Sequence, residues 1–142
     1  MSSVMVRRLP RVVLDTNILV SGTVYAGKPR KIISLALEHK IKPIISPVLL
    51  SELNEVLSKK FKLHPRNIDL LDRQLKKHFT FVHPRKIFNV LRDEPDNRVL
   101  EAAFKGNSNY IVTSDKELLN LVEFKGTKIL TASQFLEATK DL

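Results

Sequence analysis

Asp15, Glu52, Asp96 and Asp115 are the residues of this chain whose types and positions could do chemistry together. Asp15 directly follows the apolar run Val12, Val13, Leu14, and no basic residue lies between Arg11 and Lys28 to pair with it locally. A carboxylate placed there without water or a partner is expensive. Asp115 follows the run Asn109-Tyr110-Ile111-Val112 by only Thr113 and Ser114. Carboxylates held close together repel, so they either share protons or bind a cation. Oxygen donors suit a hard divalent ion, Mg²⁺ or Mn²⁺, which takes carboxylate and water oxygens and bridges readily to phosphate. The chemistry suggested is phosphodiester hydrolysis, one ion activating water for in-line attack and a second steadying the leaving oxygen. Neither a histidine base nor a serine nucleophile is needed.

Such a cluster requires elements that bring distant residues to one edge. Short apolar runs predict strands over 11–14, 42–45, 109–112 and 127–130, with a weaker one around Phe81. Helices are expected over 29–39, 47–60, 66–79, 95–105, 115–122 and 132–140. Ser46-Pro47 marks one helix start, serine capping free amides and proline occupying the first helical position. This alternation predicts an α/β three-layer sandwich, helices covering both faces of a central, mostly parallel, twisted sheet. In such a sheet ligands bind beyond the carboxyl ends of the strands, where the helix N-termini also gather. Asp15 and Asp115 then end strands at that edge, and Glu52 and Asp96 point to it from the second and first turns of their helices.

Helical phase separates these acids from their neighbours, each residue turning the side chain by about 100°. Asp96 heads the row Val99, Leu100, Ala103 that faces the core, while Arg98, Glu101 and Lys105 are expected to point away. Glu52 lies roughly 90° from the centre of the Leu49, Leu50, Leu53, Val56, Leu57 stripe, and Glu55 nearly opposite it. Asp115 heads Leu118, Leu119 and Val122. Plainer roles exist for some of them. Asp93-x-x-Asp96 and Ser114-x-x-Glu117 both resemble capping boxes, and acids near helix N-termini are favoured by the helix dipole.

The 142 residues suffice for a single domain spanning 1–142. The formal net charge of +9 favours a polyanionic partner, nucleic acid ahead of an anionic membrane. No apolar run approaches the ~20 residues of a membrane span, and no signal peptide is evident, so a cytoplasmic location is expected. With no cysteine and no short His-x-x-x-His spacing, thiolate chemistry and a zinc site are excluded. The stretch from Lys59 to Lys86 holds nine basic residues, Arg73, Lys76 and Lys77 among them, against Asp69 and Asp72. It is either a solvated helix face or a phosphate-contacting one. Lys28, Arg30 and Lys31 surround a helix start, where the dipole disfavours cations unless a phosphate ligand offsets the cost. Tyr25, in the loop before them, could stack on a base or simply pack.

The segments LDTNILVSG, SPVLLSELNEVL, EPDNRVLEAA and YIVTSDKELL, in that order, resemble the PIN domain family over nearly the whole chain. The resemblance is greatest to its VapC-like ribonuclease branch, the toxin components of toxin-antitoxin systems. It implies metal-dependent endoribonuclease activity on single-stranded or structured RNA, leaving 5′-phosphate and 3′-hydroxyl ends. The family's four acids fall on Asp15, Glu52, Asp96 and Asp115 as catalytic and metal-holding residues. Asn17 matches the polar residue that supports the first acid, and Thr113 the hydroxyl that contacts water on the metal. Asp93 competes with Asp96, but the family pattern begins at Asp96. Ser114 departs from the pattern, since relatives frequently carry glycine there. An antitoxin partner and a homodimer are implied by the resemblance alone. The competing function is an RNA-binding module that keeps the fold without useful catalysis. A phosphotransfer receiver or phosphatase would need a further acid or a catalytic lysine arrangement that the motif order does not provide.

Overall fold

The computed structural model describes residues 8–142. Its strands are β1 (Arg11–Leu14), β2 (Lys42–Ile45), β3 (Thr80–Phe81), β4 (Tyr110–Val112), β5 (Glu123–Phe124) and β6 (Thr127–Leu130). Its helices are α1 (Thr16–Val24), α2 (Lys28–Leu37), α3 (Pro47–Lys59), α4 (Pro65–His78), α5 (Glu94–Lys105), α6 (Lys116–Leu121) and α7 (Ala132–Ala138). The strands form one sheet in the order β3-β2-β1-β4-β6-β5. Every pairing is parallel except β5 with β6. Successive residues Val12, Val13 and Leu14 are all buried, as required of a strand covered by helices on both faces. The three-layer α/β sandwich expected from the alternation is therefore the observed architecture.

From β1 the chain moves outward through β2 to β3, then returns to the other side of β1 as β4. That reversal makes the β1–β4 boundary a topological switch point, where the crevice of an open parallel sheet lies. The register Val13↔Ile111 and Leu14↔Val112 brings the two strand ends level, and Asp15 N–H extends the ladder by donating to the Val112 carbonyl at 3.0 Å. Residues about a hundred positions apart in sequence are thus fixed side by side.

Three local differences from the expected elements have physical causes. Helix α1 fills the stretch between the first expected strand and the first expected helix, to which the sequence pattern assigns no element. Its Ile18, Leu19 and Val20 are all buried, so no amphipathic period marks it, and Gly22 looks like a breaker. Gly22 is instead a close-packing site, because a Cβ there would lie 3.1 Å from the Pro29 carbonyl group and collide with Ile33. Tyr25 ends this helix and packs edge-on to Phe61. Strand β5 has two residues and so no readable period. It pairs through a Lys125-Gly126 turn with positive φ at both positions, the conformation of a two-residue hairpin. Glu101 does not point away: it is buried, accepts from the Phe88 N–H at 3.0 Å and pairs with Arg98 at 2.8 Å. The irregular segment 82–91 lies over that side of α5 and turns an outer face into an inner one. Among the described residues no helix is long and apolar enough to cross a membrane.

Candidate metal centre at the carboxyl edge

Asp15 is 5% exposed at the end of β1. Its Oδ2 accepts a 2.6 Å hydrogen bond from the Thr113 hydroxyl, whose oxygen in turn accepts from the Asp115 N–H at 3.0 Å. Thr113, fully buried just past β4, thereby ties the two strand-end acids to each other. Burial pushes the Asp15 carboxyl up to about 6, against the opposing pull of Thr113, with Glu52 and Asp115 adding repulsion.

Asp96 sits in the first turn of α5, also 5% exposed, and its Oδ2 is buried with no hydrogen-bond partner. Desolvation, then repulsion from Asp115, Asp93 and Asp15, raises it to about 7. One carboxylate oxygen each of Asp93, Asp96 and Asp115 lies within 4.8 Å of the other two. The Asp93 side chain makes no cap hydrogen bond, so the capping-box role open to it in sequence is not the one it plays. Asp115 does cap: its Oδ1 accepts from the Glu117 and Leu118 N–H groups, which leaves Oδ2 available. This also makes Asp115, rather than Ser114, the residue that starts α6.

Glu52 is half-buried on α3. Burial raises its carboxyl, and Asp93 adds to the rise. The Thr16 hydroxyl lies near enough to temper that rise but does not complete a well-formed hydrogen bond with it. Glu52 is outside the three-acid group and couples to it through Asp15 and Asp93. The structure therefore brings all four predicted acids to one edge and adds Asp93. In the sequence Asp93 competes with Asp96 and yields to it on family pattern and helical phase, whereas in the structure the two acids stand together.

These donors fit a divalent cation of the Mg²⁺ or Mn²⁺ kind. All are carboxylate oxygens, one is buried without a partner, and burial, with mutual repulsion added, raises the proton affinities of Asp15 and Asp96 where a cation would relieve both. Arg92 and Lys116 line the cleft beside Asp93 and Asp115 and add positive charge at its rim. Neither was singled out in sequence, though each directly adjoins one of these acids.

The other predicted contacts fall differently. Asn17 is exposed beside Thr113 and Ser114 in a neighbouring depression, and no hydrogen bond joins it to Asp15 among the described residues. Lys28 also lies near this edge, donating to Ser133 at 2.7 Å. Arg30 donates to the Gly22 and Thr23 carbonyls at the end of α1, which explains a cation in the first turn of α2 without a phosphate. Lys31 is exposed. Lys76 pairs with Asp72, while Arg73 and Lys77 are exposed. The end of α4 that carries Lys76 and Lys77 lies at the amino edge, because the neighbouring His78 packs on His39 in the turn entering β2. Those two lysines therefore do not rim the carboxylates.

Comparison with known proteins agrees with this fold. Residues 11–117 match the PIN domain family model. An uncharacterized protein of Methanocaldococcus jannaschii, MJ1680, is 34% identical over 116 residues, covering 78% of this chain and 74% of that protein. The crystal structure of PAE2754 from Pyrobaculum aerophilum has a similar fold, with a TM-score of 0.59 at 17% identity, covering 94% of this chain and 91% of that one. VapBC2 from Rickettsia felis, bound to a DNA fragment from its promoter, gives a TM-score of 0.57 at 17% identity over 85% of this chain and 98% of that one. With a family match spanning both strand ends and the helices between them, this chain belongs to the PIN domain family.

Proposed function

We propose that the protein is a divalent-metal-dependent endoribonuclease, with Asp15, Glu52, Asp96 and Asp115 as its catalytic and metal-holding acids and Asp93 as a fifth contributor. The observation that carries this reading is the buried, unpartnered Asp96 Oδ2 among carboxylates whose protons are held to near neutral pH. Such a site is costly to keep for stability alone and is relieved by a cation. Bound Mg²⁺ or Mn²⁺ would supply activation of water and stabilisation of charge on the phosphate oxygens. The chain's own part is positional. Thr113 fixes the Asp15 carboxylate, Asp115 is held by the α6 N-terminus, and Arg92 and Lys116 can orient a backbone phosphate at the cleft rim. Because the carboxylates must be charged to bind the ion, affinity should rise as pH passes about 6 and about 7.

Labelled RNA incubated with Mn²⁺ or Mg²⁺ tests the proposal, with chelator and Asp15→Asn as controls. Cleavage that neither control reduces overturns it. RNA binding without cleavage across varied substrates would favour the non-catalytic binding module. A toxin role with an antitoxin partner, and a homodimer, form a second reading; the fold likeness to VapBC2 supports it. Co-purification of a partner protein that suppresses cleavage is its test.

A further inference from the structure

The opposite edge of the sheet carries a cluster that the carboxylate site does not use. Phe88, Phe104 and Phe124 meet edge to face, with centroids 5.4 Å apart for Phe88–Phe104 and 5.1 Å for Phe88–Phe124. Lys86 Nζ lies 5.3 Å from the Phe104 centroid, and Lys125 Nζ within 6.0 Å of all three rings. Phe104 is in the last turn of α5, the helix that leads into β4, and Lys125 is in the turn that leads into β6. Both positions are at the amino edge. Lys105 and Lys128 flank them, and all four lysines are exposed. Among the described residues none of the four is in an ion pair, and the one acid opposed to them in the sheet is Glu123, the register partner of Lys128.

Phe104 is exposed, and Phe88 and Phe124 are half-buried. Cations gathered over such an aromatic surface are what a single-stranded polynucleotide binds: lysines take the phosphates and an accessible ring accepts an unstacked base. Phe104 is 37% exposed, and Ile87, between Lys86 and Phe88 in the sequence, is 74% exposed, so apolar surface accompanies the charge. Asp96 and Lys105 are nine residues apart on the same helix, which sets the two edges about 13 Å apart along α5. We propose that this amino-edge platform, centred on Lys86, Phe104 and Lys125, is a second binding site for single-stranded RNA and holds a segment of the strand away from the carboxylates. The proposal rests on the part of that reading that makes RNA the polymer bound, and a strand short enough to fill only the carboxyl edge does not reach the platform.

The test is equilibrium binding in chelator, so that cleavage plays no part, using fluorescently labelled single-stranded RNA of about 20 and about 4 nucleotides and a duplex of the longer length. The variant is Lys86→Gln with Lys125→Gln, and Phe104→Leu is the partner variant that keeps an apolar side chain. We expect the double lysine variant to bind the long strand about tenfold more weakly and to lower its salt slope by about 1.4, with the short strand unaffected. Phe104→Leu should weaken the long strand and leave the salt slope unchanged. Unchanged affinity and slope for the long strand overturn the proposal, as does absence of RNA binding by the unaltered protein. Equal weakening for the duplex overturns the single-strand assignment. If the unaltered protein binds in this pattern but cuts no RNA with Mn²⁺ or Mg²⁺, the nuclease reading fails and the platform stands.

Discussion

The two edges of one sheet treat ionised groups differently. At the amino edge, side chains close the ends of the strands. Asn109 accepts from the Arg11 N–H, Arg11 donates to the Asn107 carbonyl, and Thr127 donates to the Ser108 carbonyl. At the carboxyl edge five acids gather, three of them in one close group and two tied by a buried hydroxyl; Asp96 Oδ2 is left without a partner, and proton affinities rise. Hydrogen bonds of the first kind each contribute about 1 kcal/mol, whereas the second arrangement costs stability until something charged binds. The contrast separates what holds the sheet from what the sheet holds.

The strongest way to break this contrast is to neutralise the acids. Asp96→Asn or Asp115→Asn should lower RNA cleavage by about 100- to 1000-fold, comparable to removing a principal electrostatic group from an active site. Turnover within a few-fold of the unaltered protein would reduce these carboxylates to structural groups. The same Asp96→Asn should stabilise the fold in chelator at neutral pH by on the order of 1–2 kcal/mol, read as a higher thermal midpoint, since it removes a desolvated, repelled charge. A lowered midpoint would show that the carboxylate itself stabilises the fold.

The pH dependence follows with a definite sign. The folded-state proton affinities of Asp15 and Asp96 lie above their unfolded values, so their contribution to stability is complete below about pH 4. It is lost as pH rises through about 6 and about 7. Metal-free protein should therefore lose thermal stability across that window, and Mn²⁺ should restore it at neutral pH by binding the charged form. Melting curves from acid to neutral pH, with and without Mn²⁺, check both halves. A metal-free midpoint that climbs through the window contradicts the burial argument.

Smaller effects sharpen the roles within the carboxyl edge. Asp93→Asn should reduce cleavage about tenfold, less than Asp96→Asn, because Asp93 is exposed and its charge is better screened. Equal losses would place the two on the same footing. Thr113→Val removes the hydroxyl that favours the charged form of Asp15. The acid limb of the pH–rate profile should then move to higher pH, with activity reduced a few-fold near neutrality and about 1 kcal/mol lost from stability. An unmoved acid limb would mean that Thr113 acts only as a spacer.

Much of the carboxyl edge was legible in the sequence because strand ends and helix starts are local signals. Val12 to Leu14 and Tyr110 to Val112 announce their strands, and the phase of Asp96 with Val99, Leu100 and Ala103 predicts the buried face that α5 presents. What escaped depends on contacts remote in sequence or on elements without a period. Helix α1 is buried nearly all round and so shows no stripe. Glu101 and Asn97 are inward because an irregular segment lies over them. Asn97 accepts from the Val90 and Leu91 N–H groups and donates to the Leu91 carbonyl, a pattern no propensity encodes. Lys76 and Lys77 were grouped with the site by charge, yet the direction of α4 carries them to the other edge.

The hydrogen bond from the Asp15 N–H to the Val112 carbonyl also has a meaning in time. A chain emerging from the ribosome presents Asp15 about a hundred residues ahead of β4 and the acid beyond it. Joining them closes a loop of about a hundred residues, a slow step compared with the formation of any single helix. Until then the growing polypeptide has separate acids in water and no assembled centre. The centre is therefore the product of a long-range strand pairing rather than of any one segment, and exists only once β4 lies beside β1.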